Sequence, residues 1–145
     1  MAAAVRVAQR PQLEGWSDDM HTSRLAGFII DCNVPDLAAA AKFWGAALRM
    51  DLKSLPAEEG EKYVRLVDPQ RRLHIEVQAV THPSRVHLDI ESDDVEAEAA
   101  RLEGLGAKRV EQVHTWWVME APTGQRFCVV RRSSAGFEAT ANQWR

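Results

Sequence analysis

An internal repeat limits the possible folds of this chain more than any other feature of its sequence. When the first half of the chain is laid over the second at a fixed offset, the same residue types recur at several positions. Such a repeat indicates one supersecondary unit that is used twice. The matching pairs are Asp31 with Asp89, Asp36 with Asp94, Leu37 with Val95 and Ala41 with Ala99.

Both halves predict the same order of elements. Apolar and polar residues alternate over 25–34 and 85–91, and this alternation is typical of strands. An alanine-rich segment predicts a helix that begins near Asp36, and "DDVEAEAARLEGLG" predicts a second helix that ends at Gly106. Three short extended runs follow each helix. The sequence therefore predicts an α+β fold built from two βαβββ modules.

The predicted domain has short segments outside the repeat. Module one covers 25–78 and module two covers 85–131, with an arm at 1–24 and an irregular tail at 132–145. A half of this size can hardly bury both sides of its own sheet, so we expect the two halves to share one core. Side by side, they would form one curved, cup-shaped mixed sheet with helices outside and a concave polar face.

Composition and charge exclude several classes of protein. The 145 residues are 46% apolar and 27% charged, with a formal net charge of −3, so no basic surface for nucleic acid is predicted. No apolar run approaches the roughly 20 residues that span a bilayer, and the N-terminus lacks the apolar stretch of a secretory signal. We therefore expect a cytoplasmic protein without nucleic-acid or membrane partners. Cys32 and Cys128 lie in separate apolar runs and predict buried free thiols.

Three segments resemble the vicinal-oxygen-chelate superfamily, in particular its glyoxalase-like and bleomycin-resistance-like branch. They are "CNVPDLAAAAKFWGAAL", "SRVHLDIESDDVEAEAARLEGLGA" and "WWVMEAPTGQRFCVVR". The resemblance covers about residues 25–131 and implies paired βαβββ modules that form a cup. It also implies that metal-dependent relatives hold one divalent ion, bound by one residue from the first and one from the last strand of each module.

The resemblance assigns four ligand positions, of which two keep an ordinary metal ligand. His87 occupies the position in the first strand of module two, and its counterpart in module one is Ile29, which cannot bind a metal. Glu76 is favoured on the last strand of module one, although a slip of two residues would select Gln78 instead. The fourth position falls on Cys128, which would complete a site with Glu76 and His87 only as a thiolate.

Several other polar and aromatic residues are candidates for the concave face. Three roles are open for His87. It could be a hydrogen-bonded residue of the cup, a metal ligand, or a group that contacts substrate without a metal. In the last role, His87 and Glu76 are the candidate catalytic residues, with His87 as a general base. The symmetry-related Asp31 and Asp89 would contact substrate or pair with arginines such as Arg65 or Arg85. Trp116 and Trp117 must point to opposite faces of their strand, so one of them should line the cup. The remaining substrate-binding candidates are Asn33, His74 and Gln78.

The favoured function is a metal-independent small-molecule binding protein that holds an apolar or aromatic ligand in its cup. The apolar residue at Ile29 and the tryptophan pair motivate this hypothesis. The alternative is a metal-dependent lyase, isomerase or dioxygenase that acts on a substrate with vicinal oxygens. No cofactor is expected under the first hypothesis, whereas the second requires a divalent metal.

We predict that the chain forms a homodimer. Trp16, Phe137 and Trp144 lie outside the repeat, and large aromatic residues in terminal segments are better buried at an interface than left in water. Sedimentation at micromolar concentration should give twice the mass of the 16.3 kDa chain. A species with the mass of one chain at that concentration would contradict the prediction.

Overall fold

The computed structural model describes residues 20–145, which form one nine-stranded mixed sheet with four helices. Residues 1–19 of the predicted arm, including Trp16, lie outside the described residues. The strands are β1 (His21–Cys32), β2 (Asp51–Ser54), β3 (Tyr63–Val67), β4 (His74–Ala79), β5 (Arg85–Ser92), β6 (Lys108–Val113), β7 (Trp116–Glu120), β8 (Arg126–Arg131) and β9 (Asn142–Trp144). The helices are α1 (Leu37–Leu48), α2 (Glu59–Lys62), α3 (Val95–Gly104) and α4 (Phe137–Thr140).

The order of the strands shows the predicted repeat directly. The sheet runs β2-β3-β4-β1-β5-β8-β7-β6, which is symmetric about the boundary between β1 and β5. β1 pairs in parallel with β4, and β5 pairs in parallel with β8, while β1 and β5 are antiparallel to each other. The predicted α+β fold of two βαβββ modules in one sheet is confirmed.

The two long helices begin in the same way because the repeat places an aspartate before each. Asp36 accepts a hydrogen bond from the backbone N–H of Ala39, and Asp94 accepts one from Ala97. Each carboxylate satisfies one of the N–H groups that a helix leaves unpaired at its first turn.

The core differs from the prediction of one shared cluster. Among the described residues, one apolar cluster lies between α1 and the strands of module one, and a second lies between α3 and the strands of module two. The equivalent residues Ala41 and Ala99 are almost completely buried, one in each cluster. Each helix therefore covers its own module, and the modules are joined through the β1–β5 strand pair instead of a common core.

β1 begins at His21, four residues earlier than the sequence predicted. A bulge between Leu25 and Gly27 shifts the register with β5 and reverses which side chains face the helices. His21 consequently lies on the α3 side, where its Nε2 is 2.6 Å from the buried carboxylate of Glu98. The bulge interrupts the alternating pattern from which strands are predicted.

The C-terminal segment 132–145 is ordered, although the sequence predicted an irregular tail. β9 pairs with His21–Ser23 at the start of β1, and the Trp144 indole N–H donates to Ser23. Ser134 donates to the buried carboxylate of Glu91. Phe137 is only 2% exposed. The segment is therefore part of the folded domain.

This result removes two of the three aromatic residues from the argument for a homodimer. Phe137 is buried within its own chain, and Trp144 stacks on the guanidinium of Arg101 at 3.7 Å. Dimerisation stays a prediction. Within the described part of the chain, no helix combines the length and apolarity needed to cross a membrane.

Replacing Phe137 by alanine tests whether the C-terminal segment contributes to stability. The Phe137→Ala variant should lower the free energy of unfolding by about 3 kcal/mol, because it leaves a cavity beneath α4. The control is Phe43→Ala on α1, where the ring is 62% exposed and the loss should stay below about 1 kcal/mol. Urea unfolding of both variants gives the comparison, and equal small losses would mean that the segment is not held in place.

Candidate functional site

The concave face of the sheet encloses a cavity of about 590 Å³. Its floor is formed by the four central strands β4, β1, β5 and β8. Ile29 lies beside Glu76 on β4 and beside His87 on β5, while Asp89 lies beside Cys128 on β8. We call the following six residues the cup floor: Ile29, Asp31, Glu76, His87, Asp89 and Cys128.

Gly27 permits the close approach of β1 and β4 that sets this register. A Cβ atom at this position would lie 1.9 Å from the carbonyl oxygen of His74, so no other residue fits without moving the backbone. The resulting parallel pairing brings Glu76 next to Ile29 on the cup floor.

His87 lies between two carboxylates. Its Nδ1 is 2.7 Å from Asp31 Oδ2, and its Nε2 is 3.6 Å from Asp89 Oδ1. Because an ionised carboxylate can only accept, the Nδ1–H of His87 donates to Asp31 and Nε2 is directed towards Asp89. The hydrogen bond also connects the two modules, since Asp31 belongs to β1 and His87 to β5.

Asp31 and Asp89 are related by the repeat but have different surroundings. Asp31 Oδ2 lies near three groups that can carry positive charge: His87, Arg85 at 3.8 Å and His82 at 3.9 Å. By the symmetry of the repeat, the residue that corresponds to His87 is Ile29, and its side chain has no group that can donate to Asp89. One oxygen of each aspartate, Oδ1, is buried and has no hydrogen-bond donor among the described residues.

Burial raises the pKa of Asp89 to about 6. Removal of the carboxylate from water is the largest cause, and the nearby carboxylates of Glu76 and Asp31 add to it. His87 and His74 act in the opposite direction. A carboxyl group in a poorly solvated cavity is expected to behave in this way.

Cys128 and Tyr63 are neutral at physiological pH. Burial, with smaller contributions from Asp89 and Asp31, raises the pKa of the Cys128 thiol to about 12. Burial also raises the pKa of Tyr63 to about 12, and the Tyr63 hydroxyl accepts a hydrogen bond from Gln78. In the absence of a metal ion, Cys128 is therefore a small, weakly polar part of the cup floor.

The two adjacent tryptophans point to opposite faces of β7, as strand geometry requires. Trp116 lines the cavity. Trp117 packs against the apolar cluster under α3, and its indole N–H donates to Glu96. The cavity thus combines an aromatic wall with a polar floor.

Most of the residues predicted for the cup line this cavity, but three do not. His74 is on the same face as Glu76, and its Nε2 lies 2.8 Å from the Glu76 carboxylate. His74 therefore holds Glu76 in place but does not itself line the cavity. Asn33 is exposed, and its backbone N–H is bonded to Ser84. The predicted substrate-binding residues outside the lining are Asn33, His74 and Trp117.

The structure groups a different set of possible metal ligands from the predicted one. His87, Asp89 and Cys128 each offer an atom within 4.8 Å of the others. Glu76, which was predicted instead of Asp89, lies outside this group and is bound to His74. Asp89 could have been found from the sequence, because it shares the strand face of His87 and lies two residues away.

A second depression of about 590 Å³ lies at the beginning of α3, but its carboxylates already have partners. Asp93 accepts from the backbone N–H of Thr22, Asp94 caps α3, and Glu96 is bound to Arg109. The cup differs because two of its buried carboxylate oxygens have no donor among the described residues. We therefore assign the candidate functional site to the cup.

Comparison with known proteins agrees with the fold. A model of the glyoxalase-like domain matches residues 27–130, which include every residue of the cup floor. Among curated proteins, no match is found.

Solved structures with the same fold are distant in sequence. A hypothetical protein of Bacillus halodurans is 12% identical, with a TM-score of 0.58 over 78% of this chain and 97% of the other. A methylmalonyl-CoA epimerase of Mycobacterium tuberculosis is 15% identical, with a TM-score of 0.55 over 75% and 90%. A methylmalonyl-CoA epimerase of Streptomyces coelicolor, in complex with 2-nitronate-propionyl-CoA, is also 15% identical, with a TM-score of 0.52 over 77% and 99%. At these identities the likeness shows the fold.

Replacing Asp89 by asparagine should change how stability depends on pH. The folded chain retains the Asp89 proton to a higher pH than the unfolded chain, so stability falls as the pH rises from about 4 to about 6. Above that range the cost of the buried charge is fully present. Asp89→Asn removes this cost, and the variant should gain up to about 3 kcal/mol over the native protein at about pH 8.

This gain should shrink as the pH is lowered towards about 4, where Asp89 is protonated in the native protein. Urea unfolding at both pH values gives the difference in the free energy of unfolding between variant and native protein. The control is Asp51→Asn on the exposed strand β2, which should change the stability little at either pH. An Asp89→Asn variant that is less stable than the native protein, equally at both pH values, would show that the carboxylate is well satisfied.

Proposed function

The chain belongs to the glyoxalase-like domain family, and we propose that it is a small-molecule binding protein that holds a flat aromatic ligand in its cup without a metal ion. The observation that carries the proposal is the position of Trp116 on the wall of the same cavity whose floor is lined by His87 and Asp89. An apolar aromatic surface beside a few polar groups is the usual construction of a site for a small organic molecule.

The aromatic wall and the polar floor have separate roles in this proposal. The indole ring of Trp116 contributes apolar area and stacking, which favour flat ligands without selecting among them. Orientation comes from the floor, where buried hydrogen-bonding groups discriminate strongly against ligands that leave them unpaired.

Two residues of the cup floor support metal-independent binding. Ile29 removes one of the four ligand positions implied by the resemblance, and its side chain is 3% exposed, so it fills space. Cys128 occupies another of these positions, and its thiol is protonated at neutral pH. Neither residue supplies an oxygen or nitrogen ligand to a hard cation such as magnesium.

A second candidate function, that of a metal-dependent enzyme, is favoured by one specific observation. His87, Asp89 and Cys128 form a compact N, O and S donor set, and Asp31 holds the other nitrogen of His87 in the way that outer-shell carboxylates orient metal-binding histidines. This donor set fits a thiophilic ion such as zinc. When bound, such an ion would supply Lewis-acid activation of a substrate oxygen.

Binding measurements with flat aromatic compounds test the favoured function. Chelator-treated protein is titrated calorimetrically with a panel of neutral, cationic and anionic aromatic compounds, and at least one should bind with one molecule per chain. Trp116→Ala should weaken that binding about tenfold, because the stacking surface is lost. Phe43→Ala, on the outer face of α1, should leave the affinity unchanged.

Metal analysis of protein purified without chelators separates the two candidates. The favoured function predicts well under one equivalent of any transition metal. About one equivalent of zinc that is lost in Cys128→Ala would support the enzyme and contradict metal-independent binding.

A further inference from the structure

Negative charge is concentrated at the bottom of the cup. Three carboxylates lie on the cup floor, and their side chains are 1% exposed for Asp31, 12% for Asp89 and 14% for Glu76. His74 and His87 bond to two of these carboxylates, whereas Asp31 Oδ1 and Asp89 Oδ1 have no donor among the described residues.

Three permanently positive side chains also line the cavity. Arg85 is 45% exposed, and its Nε is 3.8 Å from Asp31. Arg126 is 32% exposed and paired with Glu120, and Lys62 is exposed. Two more acidic residues of the lining, Glu59 and Glu111, are also exposed. The three carboxylates of the cup floor are therefore more deeply buried than these positive side chains, although Arg85 reaches Asp31.

We propose that the ligand of the cup is a flat aromatic cation, such as an aryl amidine or an arylalkyl amine, whose charged group binds the carboxylates of Asp31 and Asp89 while its ring packs on Trp116. This inference rests on the proposed function, because it names the chemical class of the molecule that the cup would hold. The three carboxylates of the cup floor disfavour anionic aromatic compounds, because binding would bring like charges close together.

The carboxylates that line the cup floor favour a ligand that provides both hydrogen-bond donors and positive charge. A buried carboxylate oxygen without a donor is costly. Asp31 has three groups nearby that can carry positive charge, whereas among the described residues Asp89 has one, His87 Nε2 at 3.6 Å, so a neutral donor would leave the charge of Asp89 with less compensation than a cation would. An amidinium or ammonium group supplies both, and charge-assisted hydrogen bonds of this kind are roughly twice as strong as neutral ones.

Three probes of nearly equal shape isolate the effect of charge: benzamidine, benzamide and benzoate. They are titrated into chelator-treated, full-length protein, and binding is measured by calorimetry and by the fluorescence of the tryptophans. Benzamidine should bind at least tenfold more tightly than benzamide, and benzoate should bind most weakly. The Asp89→Asn variant should reduce the affinity for benzamidine at least tenfold while leaving that for benzamide almost unchanged.

Glu111→Gln is the matched control, because it removes one negative charge from the same cavity at an exposed position. It should change the affinity for benzamidine no more than about twofold, since exposed charges are screened by solvent. An equal loss in Glu111→Gln and Asp89→Asn would overturn the proposal, because it would show a general effect of net charge.

The remaining outcomes separate this inference from the proposed function. If benzamide or benzoate binds as tightly as benzamidine, the cation inference fails while aromatic binding in the cup stands. If no aromatic compound binds up to about 10 mM, both fail. A last outcome is that the protein carries stoichiometric zinc and binds no benzamidine, either with the metal present or after its removal. The carboxylates would then serve the metal, and the inference would be overturned.

Discussion

The hydrogen bond between Asp31 and His87 is the interaction on which the arrangement of the cup depends. It joins β1 to β5 at 2.7 Å, across the boundary between two modules whose apolar clusters are separate. The same bond fixes the donor nitrogen of His87 and directs the other nitrogen towards Asp89. The Asp31–His87 hydrogen bond therefore has two roles. It connects the modules, and it determines which nitrogen of His87 is directed into the cavity.

The buried carboxylates of the cup lower the stability of the folded chain, and interactions elsewhere in the fold compensate for this loss. Ionised carboxylates in a poorly solvated cavity destabilise the folded chain, and the raised pKa of Asp89 records this cost. Elsewhere the buried acids have close partners: Glu98 is bonded to His21 and Arg101, and Glu91 accepts from Ser134. A ligand that binds only the folded cup and supplies the missing donors would recover part of this cost as stabilisation.

The sequence predicted the parts of the fold that local patterns determine. The repeated aspartates at Asp36 and Asp94 predicted both helix starts, and strand alternation placed Glu76 and His87 in one cavity. The early start of β1 was missed because a bulge reverses the alternation there. Two features were missed because they depend on contacts between residues distant in sequence, which leave no local periodic signal. These are the regular structure of the C-terminal segment and the position of Asn33 outside the cavity lining.

The difference between Asp31 and Asp89 follows from a single departure from the repeat. If both modules carried histidine in the first strand, each aspartate would have an imidazole donor from the opposite strand. Ile29 stands where the second histidine would be, so only Asp31 receives this bond. The repeat therefore leaves Asp89 without the 2.7 Å imidazole contact that Asp31 has, although one oxygen of each aspartate lacks a donor among the described residues. Under the proposed function, Ile29 has two effects: it offers no ligand to a metal ion, and it leaves Asp89 without an imidazole donor from β1, so that a bound ligand can supply one.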